Sequence, residues 1–182
     1  NFFQNGGHGS TSAIQLRGLP KRYSTVYIDG VKMSDPSSVS GDFDFNHILT
    51  SQISRVEILK GNQSSVYGSG AIGGTINIST KKGKPGTQKN TMINTGSHGT
   101  VNYSASYSGS DEINNFYVGF EKFQTKGKSA MTHNDEKDGY KNNSLVANYS
   151  RELANNFKIK SNLRFSDTNK QYDKEIDTST AT

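Results

Sequence analysis

Val66-Tyr67-Gly68-Ser69-Gly70-Ala71-Ile72-Gly73-Gly74-Thr75-Ile76-Asn77-Ile78-Ser79-Thr80-Lys81 is the run on which the fold of this chain turns. Its glycines match the spacing G-x-G-x-x-G, which binds a dinucleotide only when a helix begins at the glycines and aims its N-terminal amides at a pyrophosphate. Here the glycines lead into Thr75-Ile76-Asn77-Ile78-Ser79, a β-branched alternating run that predicts a strand. The nucleotide reading is therefore rejected. The glycines are expected to form a tight turn between two strands at positive φ.

Outward from this run, residues 1–87 hold 13 of the 19 glycines and 88–182 hold 6, which divides the chain at a seam over 81–88. In the first segment, 13–17, 25–29, 55–60 and 75–79 read as short strands between turns, and 45–53 as one short helical turn capped by Asp44 or Asn46. This predicts a small mixed α/β unit. After the seam the period changes. Val101, Tyr103, Ala105 and Tyr107 alternate with Asn102, Ser104 and Ser106; Leu145, Ala147 and Tyr149 with Val146, Asn148 and Ser150; Phe157, Ile159, Leu163 and Phe165 with Lys158, Lys160, Asn162 and Arg164. Strands with one greasy and one wet face follow from that period. The long polar stretch 126–143 and the short connection 111–114 alternate as the outer loops and inner turns of an outer-membrane barrel do, with Tyr107, Phe123, Tyr149 and Phe165 as aromatic-girdle candidates. A soluble sandwich shows the same alternation, so the pattern alone leaves both open.

The composition removes several other classes. The 182 residues carry a net charge of +5, split as +4 before residue 88 and +1 after it, with Lys81, Lys82 and Lys84 as the single tight basic cluster, at the seam. That distribution reads as a solvated linker rather than a nucleic-acid footprint. With no cysteine there is no disulfide framework, thiolate metal site or cysteine nucleophile. A mean hydropathy of −0.75 and the lack of a long apolar run exclude a membrane-crossing helix but not a membrane β-barrel. Asn134-Asp135-Glu136-Lys137-Asp138-Gly139 opens like a calcium loop, yet its twelfth position is Leu145 where the helix–loop–helix site requires a bidentate Glu. A looser calcium site from Asp135, Glu136 and Asp138 with other loops stays open beside a plain solvated loop. His8, His47, His98 and His133 are scattered, no G-x-S-x-G elbow occurs, and no nucleophile, base and orienting group assemble from local spacing. The chain is not read as an enzyme.

Four ordered blocks carry a resemblance. Ile14-Gln15-Leu16-Arg17-Gly18, Val26-Tyr27-Ile28-Asp29-Gly30-Val31, Ile53-Ser54-Arg55-Val56-Glu57-Ile58-Leu59-Lys60-Gly61 and the glycine run above resemble the plug domain of TonB-dependent outer-membrane receptors. The chain departs at Asn62, where the family usually has Pro after the glycine. The resemblance implies an α+β, mostly β fold: a plug-type mixed sheet over 1–87 (the C-terminal part of a plug), then antiparallel strands of an incomplete transmembrane β-barrel over 88–182. Arg17, Arg55, Glu57 and Lys60 would sit in plug strands facing a polar lumen. Such a receptor closes ~22 strands, so the chain is expected to be a fragment without the segment that engages the energising partner.

Asn5-Gly6-Gly7-His8-Gly9-Ser10 and Pro85-Gly86-Thr87 look most like the cobalamin receptor branch, with ferric siderophore and haem receptors as alternatives. That likeness implies uptake of a bulky metal chelate across the Gram-negative outer membrane, in contact with its lipid and driven by a TonB-type protein. It places His8, Ser10 and Thr11 in a first apical loop and Ser37, Ser38, Val39 and Ser40 in a second, as substrate contacts. Asp135, Glu136 and Asp138 become the calcium candidates. A soluble β-rich binding module is the reading of another class, and it predicts that the apolar strand faces pack on each other.

Overall fold

The computed structural model describes residues 2–4, 7–35, 41, 43–128, 138–154 and 157–171. Among these, β1 (Phe2–Gln4) and β2 (Ser12–Ile14) form a small antiparallel pair. β3 (Ser24–Ile28), β4 (Val31–Met33), β5 (Ile53–Lys60) and β6 (Gly74–Thr80) form a mixed sheet in the order β4-β3-β6-β5, in which β3 and β6 run parallel. β7 (Gly86–Gly96), β8 (Thr100–Ser110), β9 (Asn114–Thr125), β10 (Tyr140–Glu152) and β11 (Lys158–Lys170) make an antiparallel meander. The molecule is thus a plug-type mixed sheet followed by five strands of a barrel wall.

The β-branched positions of β3 and β6 build the plug core. Val26, Ile28, Ile76 and Ile78 are buried together with Leu16, and Ile14, Met33, Phe43, Phe45, Ile48 and Ile53 pack around them. Gly74 is fixed by close approach as well as by φ +145°, because a Cβ there would lie 2.3 Å from the Leu59 carbonyl oxygen. A side chain at this point would break the β5–β6 pairing.

Three local expectations change. The glycine run does not form a tight turn between strands: a short helix, α1 (Ser64–Tyr67), and a 3-10 turn (Ser69–Ala71) intervene. The helix precedes the glycines, and Gly68 ends it at φ +88°. Asn62, where the chain departs from the plug pattern, starts it by accepting the Ser64 amide at 2.9 Å. The expected strand over 13–17 stops at Ile14, since Arg17 and Gly18 turn the chain at φ 56° and 73°. The expected helical turn over 45–53 divides into two 3-10 turns, Phe45–His47 and Thr50–Gln52, with Ile48 and Leu49 extended between them. Asp44 does cap the first, its carboxylate accepting the Asn46 amide at 3.1 Å.

β8, β10 and β11 alternate as the sequence predicts, and β9 follows the same period. Tyr107, Val118, Phe120, Tyr149, Leu163 and Phe165 stand exposed on one face. On the other lie Asn102, Ser104, Ser108, Glu121, Asn142, Ser144 and Asn148, turned toward the plug. Val146 sits on this inner face, 2% exposed, where it packs rather than hydrogen-bonds. Phe123 is a correction: it lies inside, its ring 5.0 Å from His8 and 6.0 Å from Tyr140, so it is not part of an outer girdle. Among the described residues the greasy strand faces do not pack on each other. Arg17 leaves the strand it was assigned to, whereas Arg55 and Glu57 in β5 pair with each other at 2.5 Å on the surface.

Candidate functional site

Strand direction defines two ends of the wall. Residues 97–99, 126–128 and 138–139 lie at one, the loop end; 111–113, 153–154 and 157 lie at the other, the turn end. Residues 7–12 of the plug reach the loop end, and Asp44 holds them there. Its carboxylate accepts the Ser12 amide and hydroxyl, each at 3.3 Å, and the Asn46 side-chain amide at 2.9 Å. Asn46 in turn donates to the Gly9 carbonyl at 3.3 Å. One carboxylate therefore joins two plug loops into a single tip.

The wall grips this tip through Tyr140 at the start of β10. Its hydroxyl donates to the Asn46 carbonyl at 3.0 Å and accepts from the Asn142 amide at 2.9 Å. The ring lies against Gly9, whose φ is +77° and where a Cβ would fall 2.3 Å from the ring. His8 stacks at a tilt on Phe123, and Lys170 donates to the Ser10 hydroxyl at 3.0 Å. Between tip and wall remains a cavity of about 240 Å³, lined by Gln4, His8, Phe45, Asn46, Phe123 and Tyr140. Its aromatic walls and amide edges suit a flat or ring-bearing ligand with polar rims.

The structure thus brings His8 and Ser10 to one place, the loop end, and leaves Thr11 exposed beside them. Ser10 is buried and its hydroxyl accepts from Lys170, which ties the tip to β11. Ser38, Val39, Ser40, Asp135 and Glu136 lie outside the described residues. Asp138 is half-buried just ahead of β10. Among the described residues no group of three or more His, Asp and Glu side chains is arranged to hold a metal.

Sequence reasoning missed Tyr140 and Asn46, and it also missed the seam below the tip, where plug meets wall. Ser51 donates its hydroxyl to Glu121, which also accepts from the Asn102 amide at 2.8 Å. Gln52 donates to the Gly119 and Ser144 carbonyls at 3.4 and 3.3 Å and accepts from the Ser144 hydroxyl at 3.2 Å. Farther down, Asn148 donates to the Thr80 hydroxyl at 2.6 Å and to the Lys81 carbonyl at 2.9 Å. Asp29 accepts that same Thr80 hydroxyl's proton. On the wall side, Glu121 of β9 and Ser144 and Asn148 of β10 belong to the wet face of an alternating strand, a pattern that does not say what the face meets.

Residues 1–75 match the family described as TonB-dependent Receptor Plug Domain. Three solved structures are similar over most of the chain. The pyoverdine outer membrane receptor FpvA of Pseudomonas aeruginosa, bound to pyoverdine, is 18% identical with a TM-score of 0.71, over 92% of this chain and 23% of that one. The siderophore receptor PirA of Pseudomonas aeruginosa is 25% identical with a TM-score of 0.59, over 85% and 28%. The copper transporter OprC is 16% identical with a TM-score of 0.75, over 94% and 26%. The chain spans about a quarter of the length of these proteins.

Proposed function

We propose that this chain is the plug and first wall strands of a TonB-dependent receptor that takes up a bulky metal chelate. Its place is the outer membrane of a Gram-negative bacterium, and it is a transporter, not an enzyme. The observation that carries the reading is the placement of the plug tip. His8 and Gly9 meet Phe123 and Tyr140 at the loop end, above a lumen wall made of Ser, Asn and Glu side chains. A ligand arriving at the loops meets the aromatic cavity first, and the plug beneath it blocks the way through until a TonB-type partner moves it.

Ferric siderophores are the leading cargo, in line with the similarity to siderophore receptors. Cobalamin is the second, carried by the stretches 5–10 and 85–87, and calcium held by Asp135, Glu136 and Asp138 belongs to that second reading. The test is titration of the full-length receptor in detergent with ferric pyoverdine, cobalamin and cupric ion, each with and without calcium. Saturable binding of the ferric chelate alone fixes the first cargo, and calcium-dependent cobalamin binding fixes the second. A protein that stays monodisperse without detergent and binds none of the three overturns the receptor reading.

A further inference from the structure

Lys81, Lys82 and Lys84 are exposed, as a solvated linker requires, but the backbone that carries them is not free. Asn115 on β9 holds Gly83 in both directions: its side-chain oxygen accepts the Gly83 amide at 2.9 Å, and its side-chain nitrogen donates to the Gly83 carbonyl at 2.8 Å. Gly83 lies so close to the wall that a Cβ there would overlap the Gly109 carbonyl oxygen of β8 and fall 2.7 Å from the Phe116 carbonyl oxygen of β9. Only glycine fits such an approach of two backbones.

The residues on either side are fastened too. Asn148 on β10 donates to the Lys81 carbonyl at 2.9 Å, and Pro85 forms a β-bridge to Ser110 of β8. Thr80, the last residue of β6, is the inner end of the run. Its hydroxyl accepts from Asn148 at 2.6 Å, and its amide donates to the Asp29 carboxylate at 2.9 Å. From 80 to 85 the wall thus takes hold at nearly every second residue, on β8, β9 and β10 together. Elsewhere among the described residues the plug reaches the wall through isolated side chains or short pairs, at Ser10, Asn46, His47, Ser51 and Gln52. Local opening starts where a segment is held least, so the run 80–85 is the last part of the plug to let go under load.

We infer that 80–85 is a fixed anchor and not a flexible linker: it stays on β8–β10 while cargo crosses, and the plug pivots at Thr80. Asn115 is then a positioning residue that sets the length of the plug's tether. This rests on the receptor reading above. Were the run 81–85 released, it would add about 16 Å of slack at ~3.3 Å per extended residue. Plug groups such as Gln52, which meet the wall at hydrogen-bond distance, would lose their register against it.

These residues include no cysteine, so an introduced pair is the only thiol pair in this part of the full-length receptor. Thr80→Cys with Asn148→Cys, whose native side chains touch, fixes the pivot by a disulfide. Uptake of ferric pyoverdine and cobalamin by cells is measured in the oxidised and reduced states. The double-cysteine receptor is expected to transport in both. Asn115→Ala added to it is expected to lose most uptake when reduced, with surface binding of the probe retained, and to recover uptake on oxidation, because the disulfide restores the pivot that the missing amide held. Hydrogen exchange of the purified Asn115→Ala receptor is expected to rise over 81–85 and to stay unchanged over β8–β10, which shows that the variant is folded. Three results overturn the inference alone: uptake that stops when the double-cysteine receptor is oxidised, Asn115→Ala uptake equal to wild type in the reduced state, or loss that oxidation does not repair. If the unmodified receptor takes up neither probe, the receptor reading falls, and the inference with it.

Discussion

Glu121 ties the plug to the wall through a buried carboxylate. A carboxylate 1% exposed requires polar partners, and here they come one from each body, the Ser51 hydroxyl and the Asn102 amide. Glu121→Ala leaves both donors unpaired and is expected to destabilise the protein by about 1–3 kcal/mol. Glu121→Gln, which keeps one acceptor, is expected to retain most of that stability; thermal unfolding in detergent checks the pair. Equal melting of wild type and Glu121→Ala sinks the role. At the tip, Gly9→Ala places a methyl group into the Tyr140 ring at a backbone φ of +77°, a steric conflict of about 1–3 kcal/mol. On the receptor reading proposed above, the expected outcome is weaker chelate binding with the wall's own unfolding transition unchanged, measured by titration and calorimetry. Neither residue was legible in the sequence as a contact. His8 and Ser10 were assigned to the tip loop because a resemblance named it, whereas Glu121 was one polar letter in the dyad Tyr117, Gly119, Glu121, Phe123, and the partner that makes it matter is 70 residues away.

Elements were more legible than contacts, because period is local and partners are not. β3, β5 and β6 were readable from their β-branched runs, and β8, β10 and β11 of the wall from their two-residue alternation. The failures lie where the backbone turns: at Arg17, whose positive φ ends a run that alternation alone would continue, and at Ile48 and Leu49, which interrupt the expected helical turn. The β8–β9 turn shows how a short connection stabilises itself. Asp111 accepts the amides of Ile113 at 2.8 Å and Asn114 at 2.6 Å, together with the Asn114 side chain. The Asn114 backbone bond is the chief cause holding its carboxyl below the ordinary aspartate range, with the Asn114 side chain and the Ile113 amide adding to it. A depressed folded-state value means that the ionised form stabilises the turn. That contribution is present above the unfolded-state titration and lost as pH falls through the lowered value. Carbon-13 carboxyl shifts of the receptor in micelles are expected to show Asp111 titrating below an ordinary aspartate. A midpoint at or above the ordinary range removes the turn's hold on it.

At the scale of the molecule, the outer face of the wall decides the surroundings. In register terms, its apolar positions run from Ile93 on β7 and Tyr103 and Tyr107 on β8 to Phe120, Val118 and Phe116 on β9, Leu145 and Tyr149 on β10 and Phe165, Leu163 and Ile159 on β11, a band that shifts overall toward the turn end. A diagonal band is what strands tilted ~35–45° require to keep one level belt against lipid, and a flat soluble sheet has no reason to show it. Leu163 and Phe165, 57% and 60% exposed, stand on that belt. Asn162 and Arg164 alternate with them on the lumen side. Leu163→Arg in the full-length receptor is therefore expected to cost about 2–4 kcal/mol, the penalty of an arginine on the lipid face near the midplane. Asn162→Arg, one residue away, is expected to cost little because its side chain stays in the lumen. Urea-induced unfolding from lipid vesicles measures both. If the two substitutions cost the same, the outer face does not meet lipid, and both the diagonal belt and the membrane location built on it are lost together.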